Sequence, residues 1–287
     1  MTVDNIVLED VDGERTAILR GPWHPDMEPL ISGQSCRSLH LNTTKGWDGN
    51  SLDFLKRINF LRSIKIISSK EIDLEVIESL KTLEKLSIIA PYRGKLNLSS
   101  LPNLTHLSIH WSNKISGLGN CHALRELFIE RPSKTAILEV SKVAAHLLRL
   151  DISTTKIPPI PEILRSASMR FLRFRNVTFL DGLRGIERLP NLVSLEIDES
   201  RAVGDLTPIS TLRKLSRLGL NGCHSIPSLL PVEALPIEEL YFVGTTHIED
   251  GKVCFLKAMS SLRETSFMNR RNYDCTREEI SAALKTR

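Results

Sequence analysis

The residues able to carry chemistry are scattered along this chain rather than gathered into a motif. Of the eight histidines, His106 and His110 are spaced to share one face of a predicted strand, but no cysteine or third histidine aligns with them. A zinc site needs more ligands than this pair supplies. The sequence also lacks a phosphate-binding glycine loop, a His-Glu-x-x-His helix and a Gly-x-Ser-x-Gly elbow. It therefore predicts no metal, no cofactor and no catalytic residue, and a protein that is not an enzyme.

The five cysteines are odd in number and widely spaced: Cys36, Cys121, Cys223, Cys254 and Cys275. Because no Cys-x-x-Cys pair occurs, their spacing favours neither a disulfide framework nor a zinc site. The pattern predicts five free thiols and a reducing compartment. We interpret Cys223, in Asn-Gly-Cys-His, as a structural residue at a turn rather than a reactive thiol.

A repeat positions these residues. Leu192-Val193-Ser194-Leu195-Glu196-Ile197 has a Leu-x-x-Leu-x-Ile spacing that returns about every 20 to 25 residues, the period of a leucine-rich repeat. The first apolar residue of each unit, its anchor, is Cys36, Leu61, Leu83, Leu104, Leu124, Leu147, Met169, Leu192, Leu215, Ile237 or Leu262. The series predicts an α/β solenoid, a right-handed horseshoe of about eleven repeats with a parallel sheet on its concave side.

Strand geometry indicates which side chains face the concave surface. Side chains alternate between the two faces of a strand, so positions two, four and six after each anchor point away from the leucine core. Stacked strands lie about 4.8 Å apart, which makes equivalent positions neighbours. From these rows and the aromatic residues beside them we predict a protein-binding surface of His106, His110, Trp111, Glu126, Phe128, Glu130, Arg131, Arg149, Asp151, Phe171, Arg173, Arg175, Glu196, Asp198, Arg217 and Tyr241.

Charges alternate from strand to strand in the middle of this surface. The predicted pairs are Glu126 with Arg149, Arg173 with both Asp151 and Glu196, Arg175 with Asp198, and Arg217 with Glu239. One interpretation is a self-satisfied network that keeps a polar sheet soluble, each exposed pair contributing about 0 to 1 kcal/mol. The other is a preorganised charged face that gives a partner specificity more than affinity.

Aromatic residues form the second feature of the predicted surface. Trp111, Phe128 and Arg131 are expected to supply binding affinity together, since tryptophan, tyrosine and arginine dominate binding hot spots. Phe171 and Tyr241, the latter beside Gly219, stand further along the same face. The alternative interpretation is that a terminal segment of the chain itself covers these rings.

Composition narrows the class of partner. The net charge of +4 comes from 38 basic and 34 acidic residues, which gives no basic tail for phosphates and argues against nucleic acid. The first residues show no export-signal pattern, and no window reaches 18 apolar residues, so we expect no membrane span. The sequence thus predicts a single cytoplasmic domain, monomeric on its own.

Segments at both ends stand outside the repeat. Residues 1–33 predict a hairpin cap turning near Asp12-Gly13, residues 34–270 the array, and residues 271–287 a capping helix begun by the Thr276 to Glu279 capping box. Between strands, helix-like apolar spacing predicts helical returns at residues 52–60, 73–80, 137–147, 162–168 and 250–259.

The segment from Asp205 to Leu220 resembles one coil of an internalin-like leucine-rich repeat, in which Leu-x-Pro-Leu-x-x-Leu leads into the next strand. Leu101-Pro102-Asn103-Leu104 and Leu189-Pro190-Asn191-Leu192 are similar. The resemblance covers about residues 36–270 and implies binding of macromolecules by the concave sheet. By class and size, the chain also resembles bacterial leucine-rich immunity proteins.

Together these observations predict a non-enzymatic cytoplasmic module that binds another protein with its concave sheet. Two roles are open: neutralising a toxin or enzyme as an immunity protein or inhibitor, and serving as a structural or regulatory adaptor subunit of a signalling or enzyme complex.

Overall fold

Short strands with buried leucines and isoleucines on one face form the framework of the chain. We describe a computed structural model covering residues 5–11, 13–33, 35–49, 51–160, 164 and 166–286. Two compact units divide the chain: an amino-terminal unit, Met1–Ile129, and a carboxyl-terminal unit, Glu130–Arg287.

The described residues of the amino-terminal unit form one main sheet and two small ones. Its strands are β1 (Ile6–Val11), β2 (Glu14–Leu19), β3 (Ser38–Asn42), β4 (Ser63–Ile67), β5 (Ile72–Asp73), β6 (Lys85–Ile89), β7 (Tyr92–Arg93), β8 (Leu96–Asn97), β9 (His106–His110), β10 (Ile115–Ser116) and β11 (Glu126–Glu130), whose last residue belongs to the other unit. The main sheet has the order β1-β2-β3-β4-β6-β9-β11, in which β1 and β2 are antiparallel and β2 through β9 are parallel. Two-residue strands pair as β5 with β7 and β8 with β10.

The carboxyl-terminal unit repeats this arrangement. Its strands are β12 (Arg149–Ser153), β13 (Lys156–Ile157), β14 (Phe171–Arg175), β15 (Thr178–Phe179), β16 (Ser194–Asp198), β17 (Arg217–Asn221), β18 (Ser225–Ile226), β19 (Glu239–Phe242), β20 (His247–Ile248) and β21 (Glu264–Phe267). The main sheet runs β12-β14-β16-β17-β19-β21, parallel throughout. Short pairs join β13 to β15 and β18 to β20. This is the right-handed leucine-rich-repeat solenoid that the sequence predicts; the repeat count stays a prediction.

Most returns between strands are 3₁₀ turns rather than helices. The α-helices described are α1 (Met27–Gly33), α2 (Lys134–Val143) and α3 (Arg277–Lys285); 3₁₀ segments cover Thr43–Lys45, Asp53–Lys56, Glu75–Ser79, Leu98–Ser100, Leu118–Asn120, Ala144–His146, Ile186–Arg188, Thr207–Thr211, Leu230–Val232 and Cys254–Lys257. The helical prediction is therefore confirmed in α2, whereas residues 53–56, 75–79 and 254–257 form 3₁₀ turns. These returns are too short for continued i→i+4 bonding, so they close with i→i+3 bonds such as Leu80 N–H to Ile77 O at 3.0 Å. Residues 162, 163 and 165 of the return predicted at 162–168 lie outside the described residues.

Side chains at the turns join neighbouring coils. The Cys223 thiol is 2% exposed and donates to Ile197 O at 3.1 Å, and burial raises its pKa to about 12. This contact agrees with the structural role predicted for Cys223. In the next coil the Thr246 hydroxyl accepts from the Cys223 backbone N–H at 2.8 Å.

The end segments have the secondary structure that their sequences predict. β1 and β2 form the antiparallel hairpin, although Asp12 at its turn lies outside the described residues. Thr276 caps α3, with both bonds of the capping box to Glu279 present. The division into hairpin cap, array and capping helix remains a prediction.

One cysteine prediction is wrong. Cys254 and Cys275 form a disulfide, with their Cα atoms 5.0 Å apart, while Cys36, Cys121 and Cys223 are buried thiols outside any disulfide. The two bonded cysteines are 21 residues apart, which is one coil, so stacking of consecutive coils places them side by side. The prediction of a reducing compartment was based on five free thiols, so the disulfide removes its support.

None of the helices in the described part of the chain has the length and apolar run that crossing a membrane requires.

Candidate binding surfaces

Each main sheet has one face against the core and one facing away from it, which we call the open face. In the carboxyl-terminal unit the strand register places Asp151, Arg173, Glu196, Gly219 and Tyr241 in one row across the open face. The neighbouring row contains Ser153, Arg175, Asp198 and Asn221. The row positions predicted from the repeat are thus the observed ones.

The charged side chains pair both within a row and diagonally between rows. Arg173 Nη2 lies 2.6 Å from Asp198 Oδ2, and Arg173 Nε lies 3.4 Å from Glu196 Oε2. Arg217 Nε lies 3.0 Å from Glu196 Oε1, and Arg217 Nη1 contacts Glu239 as predicted. Each carboxylate therefore contacts at least one guanidinium group, and this contact fixes the orientation of both side chains.

Arg175 pairs with Asp151 rather than with the predicted Asp198. Its Nη2 lies 3.2 Å from Asp151 Oδ2, and its Nε lies 3.2 Å from Asp151 Oδ1. Asp151 is 6% exposed, and burial raises the pKa of this carboxyl group against the opposing effects of Arg175 and Arg173. The predicted Asp151–Arg173 and Arg175–Asp198 pairs are thus replaced by the crossed pairs Asp151–Arg175 and Arg173–Asp198.

Two aromatic rings on the open face of this unit are covered by arginines. The Arg149 guanidinium carbon lies 4.4 Å from the centroid of Phe171, and that of Arg217 lies 5.3 Å from the centroid of Tyr241. The Tyr241 hydroxyl donates to Glu239 Oε2 at 3.1 Å, and burial, reinforced by Glu239 and Glu264, raises its pKa to about 12. Cation–π attraction between each guanidinium group and the face of its ring stabilises these positions.

A polar cavity of about 290 Å³ opens on the same face. Its lining residues are Arg173, Glu196, Asp198, Arg217, Gly219, Asn221 and Tyr241. The sequence prediction included five of these seven as site residues and missed the role of Gly219 and Asn221. Asn221 Nδ2 donates to Asp198 Oδ1 at 3.0 Å, so it completes the wall beside the carboxylate.

The open face of the amino-terminal unit is less charged and more apolar. Ile67 and Ile89 are register neighbours on β4 and β6, and Ile89 is 57% exposed. Sequence reasoning placed both in its rows but did not select them, although branched apolar residues at outward positions were the available signal. The predicted site residue Phe128 is half-buried on β11.

Histidines of this unit make local contacts. His106 Nε2 lies 3.4 Å from Glu126 Oε1, and its Nδ1 lies 2.7 Å from Thr105 Oγ1. The His110 carbonyl accepts from the Tyr92 hydroxyl at 2.5 Å. The pairing of Glu126 with Arg149 stays a prediction.

Trp111 does not belong to the open face. It is 6% exposed, because it lies seven residues after the anchor Leu104 and so points to the same side as Leu107 and Ile109. Its predicted placement on the concave face is therefore wrong, and its role in binding stays a prediction. Arg131 and Glu130 are exposed in the carboxyl-terminal unit, with Arg131 Nε 3.9 Å from Glu130 Oε1. The three-residue hot spot of Trp111, Phe128 and Arg131 therefore loses its central ring.

Among the described residues, one group brings three potential metal ligands within 4.8 Å of one another: Cys254, Asp274 and Cys275. Both sulfurs are joined in the disulfide, and Asp274 Oδ1 accepts the backbone N–H groups of Val253 and Cys254 at 2.8 Å each. The Asp274 carboxylate thus stabilises the turn that carries the disulfide.

No protein-family model and no curated protein sequence matches the chain. Among solved structures, an internalin of Listeria monocytogenes is similar over 94% of this chain and 84% of its own length, with 14% identity and a TM-score of 0.61. A leucine-rich-repeat protein of Leptospira interrogans matches 87% of this chain and 72% of its own, with 16% identity and a TM-score of 0.55.

The ectodomain of the Arabidopsis receptor kinase HAESA, solved in complex with a peptide hormone, matches 75% of this chain and 40% of its own length, with 16% identity and a TM-score of 0.51. At these identities the likeness concerns the backbone. The chain therefore has the leucine-rich-repeat fold.

Proposed function

We propose that this chain is a non-enzymatic protein-binding module that uses the open faces of its sheets. The observation that carries the proposal is the apolar surface of the amino-terminal unit. Ile89 projects from a central strand, on the side away from the core, with 57% of its surface exposed. Ile67 lies beside it, and the adjacent row on the same face contains the small Ser87 and Ser108.

Apolar side chains in this position do not contribute to the core of the solenoid. Removing them from water by contact with a partner gives about 25 cal/mol for each Å² buried. Apolar burial supplies affinity, and the charged open face of the carboxyl-terminal unit supplies specificity, because fixed charges select a partner more than they add affinity. The peptide complex of the HAESA ectodomain supports a polypeptide as the ligand class.

Two roles fit this activity: neutralising a toxin or enzyme, and acting as an adaptor subunit. Each requires stoichiometric binding without a chemical step, so we propose the shared activity.

The proposal predicts that Ile89→Ala weakens binding to a partner captured by pull-down. The expected loss is at least about 1 kcal/mol, or about fivefold in Kd, measured by calorimetry with purified partner. The free energy of unfolding should change by less than about 0.5 kcal/mol because the side chain is exposed. Phe128→Ala should weaken binding in the same direction.

The matched control is Lys81→Ala on the opposite side of the same unit, where the exposed Lys81 ammonium group donates to Ser100 O at 3.0 Å. This change should leave Kd unaltered. If Lys81→Ala abolished binding while Ile89→Ala and Phe128→Ala were silent, the open face of this unit would not be the site.

A further inference from the structure

Gly219 occupies an unusual place in the carboxyl-terminal unit. It lies at the centre of β17, between Glu196 on β16 and Tyr241 on β19. Glycine weakens a strand interior and often marks a position where a ligand approaches the backbone closely.

Neither backbone conformation nor packing requires glycine at this position. Its φ lies outside the left-handed region, and a Cβ atom built on it would meet its nearest neighbours, Asn221 Nδ2 and Glu196 Cγ, at 3.6 and 3.7 Å. These are ordinary van der Waals distances. Gly222, three residues later, has φ +67° and would place a Cβ 2.5 Å from Glu199 Oε1. Gly222 therefore serves the turn, whereas Gly219 leaves the floor of the cavity open.

The walls of this cavity are fixed before any ligand arrives. Arg173 and Arg217 both contact Glu196, and Asp198 is held by Arg173 and Asn221. Two guanidinium groups face two carboxylates, so the formal charge of the lining residues cancels. The small volume and polar walls differ from the larger, mostly apolar pockets that take cofactors.

Hydrogen-bonding capacity remains on both sides of this network. Each guanidinium has five N–H donors. Arg173 contacts its carboxylates through Nε and Nη2, and Arg217 contacts its own through Nε and Nη1, so these contacts use only part of the five N–H groups of each. Carboxylate oxygens each accept more than one bond, so Glu196 and Asp198 also have acceptor capacity left.

We propose that the cavity over Gly219 is a subsite for a neutral carboxamide side chain, glutamine or asparagine, of the bound protein. The carboxamide oxygen accepts from the guanidinium N–H groups, and its NH₂ group donates to Glu196 or Asp198. A carboxylate would lie beside Glu196 and Asp198, and an ammonium group would lie beside two guanidinium groups. This subsite rests on the proposed function, since it needs a polypeptide on the open face.

The test titrates three probes into protein labelled at glycine amides and arginine Nε–H groups: the N-acetyl methylamides of glutamine, glutamate and lysine. The glutamine probe should shift the Gly219 amide and the Arg173 and Arg217 Nε–H resonances. Its Kd should be at least about threefold lower than that of either charged probe. Gly219→Leu, which fills the cavity, should abolish these shifts, whereas Gly219→Ala should retain them without lowering the melting temperature.

Equal shifts from all three probes, or none from the glutamine probe, would overturn the carboxamide subsite. The probe comparison uses the unaltered protein, so it decides the matter even if Gly219→Leu fails to fold. Either result leaves the partner affinities of the Ile89 and Phe128 variants untouched, because those residues belong to the other unit. Loss of the proposed function would instead appear as silent Ile89 and Phe128 variants.

Discussion

Replacing Trp111 by alanine should lower the free energy of unfolding by about 3 to 5 kcal/mol, the range for a buried aromatic residue whose removal leaves a cavity. The indole is 6% exposed and follows β9 on the side of Leu107 and Ile109. Its loss therefore removes packing within the core of the amino-terminal unit. Urea unfolding followed by circular dichroism gives the measurement.

Ile89→Ala is the control for this prediction, since it shortens an apolar side chain of the same unit on the opposite face. Its effect on unfolding should stay below about 0.5 kcal/mol. A Trp111→Ala protein that melts like the unaltered one, but binds its partner more weakly, would restore the surface role first predicted for this tryptophan.

The fold was predictable because a solenoid core depends on one repeated pattern. The coils bury apolar residues three and five positions after their anchors, as with Leu195 and Ile197 after Leu192; the exception is the buried Thr265, three positions after Leu262. The same alternation places Trp111, seven positions after Leu104, on the core side of its strand. Its selection as a binding residue followed from residue type and neglected the two-residue period of the strand.

Charge pairing was predictable in part: the pairs of Arg173 with Glu196 and of Arg217 with Glu239 form as expected, whereas those of Asp151 and Asp198 do not. Asp151, Arg173 and Glu196 are row neighbours, as expected. Arginine side chains are long enough to reach the diagonal position on the next strand, about 7 to 8 Å away. Arg175 therefore reaches Asp151, and Arg173 reaches Asp198. Which diagonal is used depends on side-chain conformation and local burial, which the sequence pattern does not encode.

The disulfide was missed for a different reason. Its two cysteines were compared with the spacings of disulfide-rich domains and zinc sites rather than with the repeat itself. A separation of 21 residues corresponds to one coil, so the residues at its ends stack side by side. In a solenoid, the repeat period is therefore a spacing at which two cysteines meet.

Reduction of the Cys254–Cys275 disulfide should destabilise the carboxyl-terminal unit by about 3 kcal/mol, the loop-closure effect for a ring of this size. The disulfide fixes the residue before Thr276, the N-cap of α3, to the 3₁₀ segment Cys254–Lys257. Hydrogen exchange of α3 amides and urea unfolding, each with and without dithiothreitol, should both show the loss. Titration of the unfolded, unreduced protein should find three thiols, those of Cys36, Cys121 and Cys223.

The Cys254→Ser variant provides the control for this last prediction. Because it lacks the disulfide, its unfolding should resemble that of the reduced protein and should not respond to dithiothreitol. Its α3 amides should exchange as fast as those of the reduced protein, while amides of the amino-terminal unit keep their protection. Five thiols in the unfolded, unreduced protein, together with identical stability in the presence and absence of dithiothreitol, would show that the two cysteines stack without bonding and would restore the case for a reducing compartment.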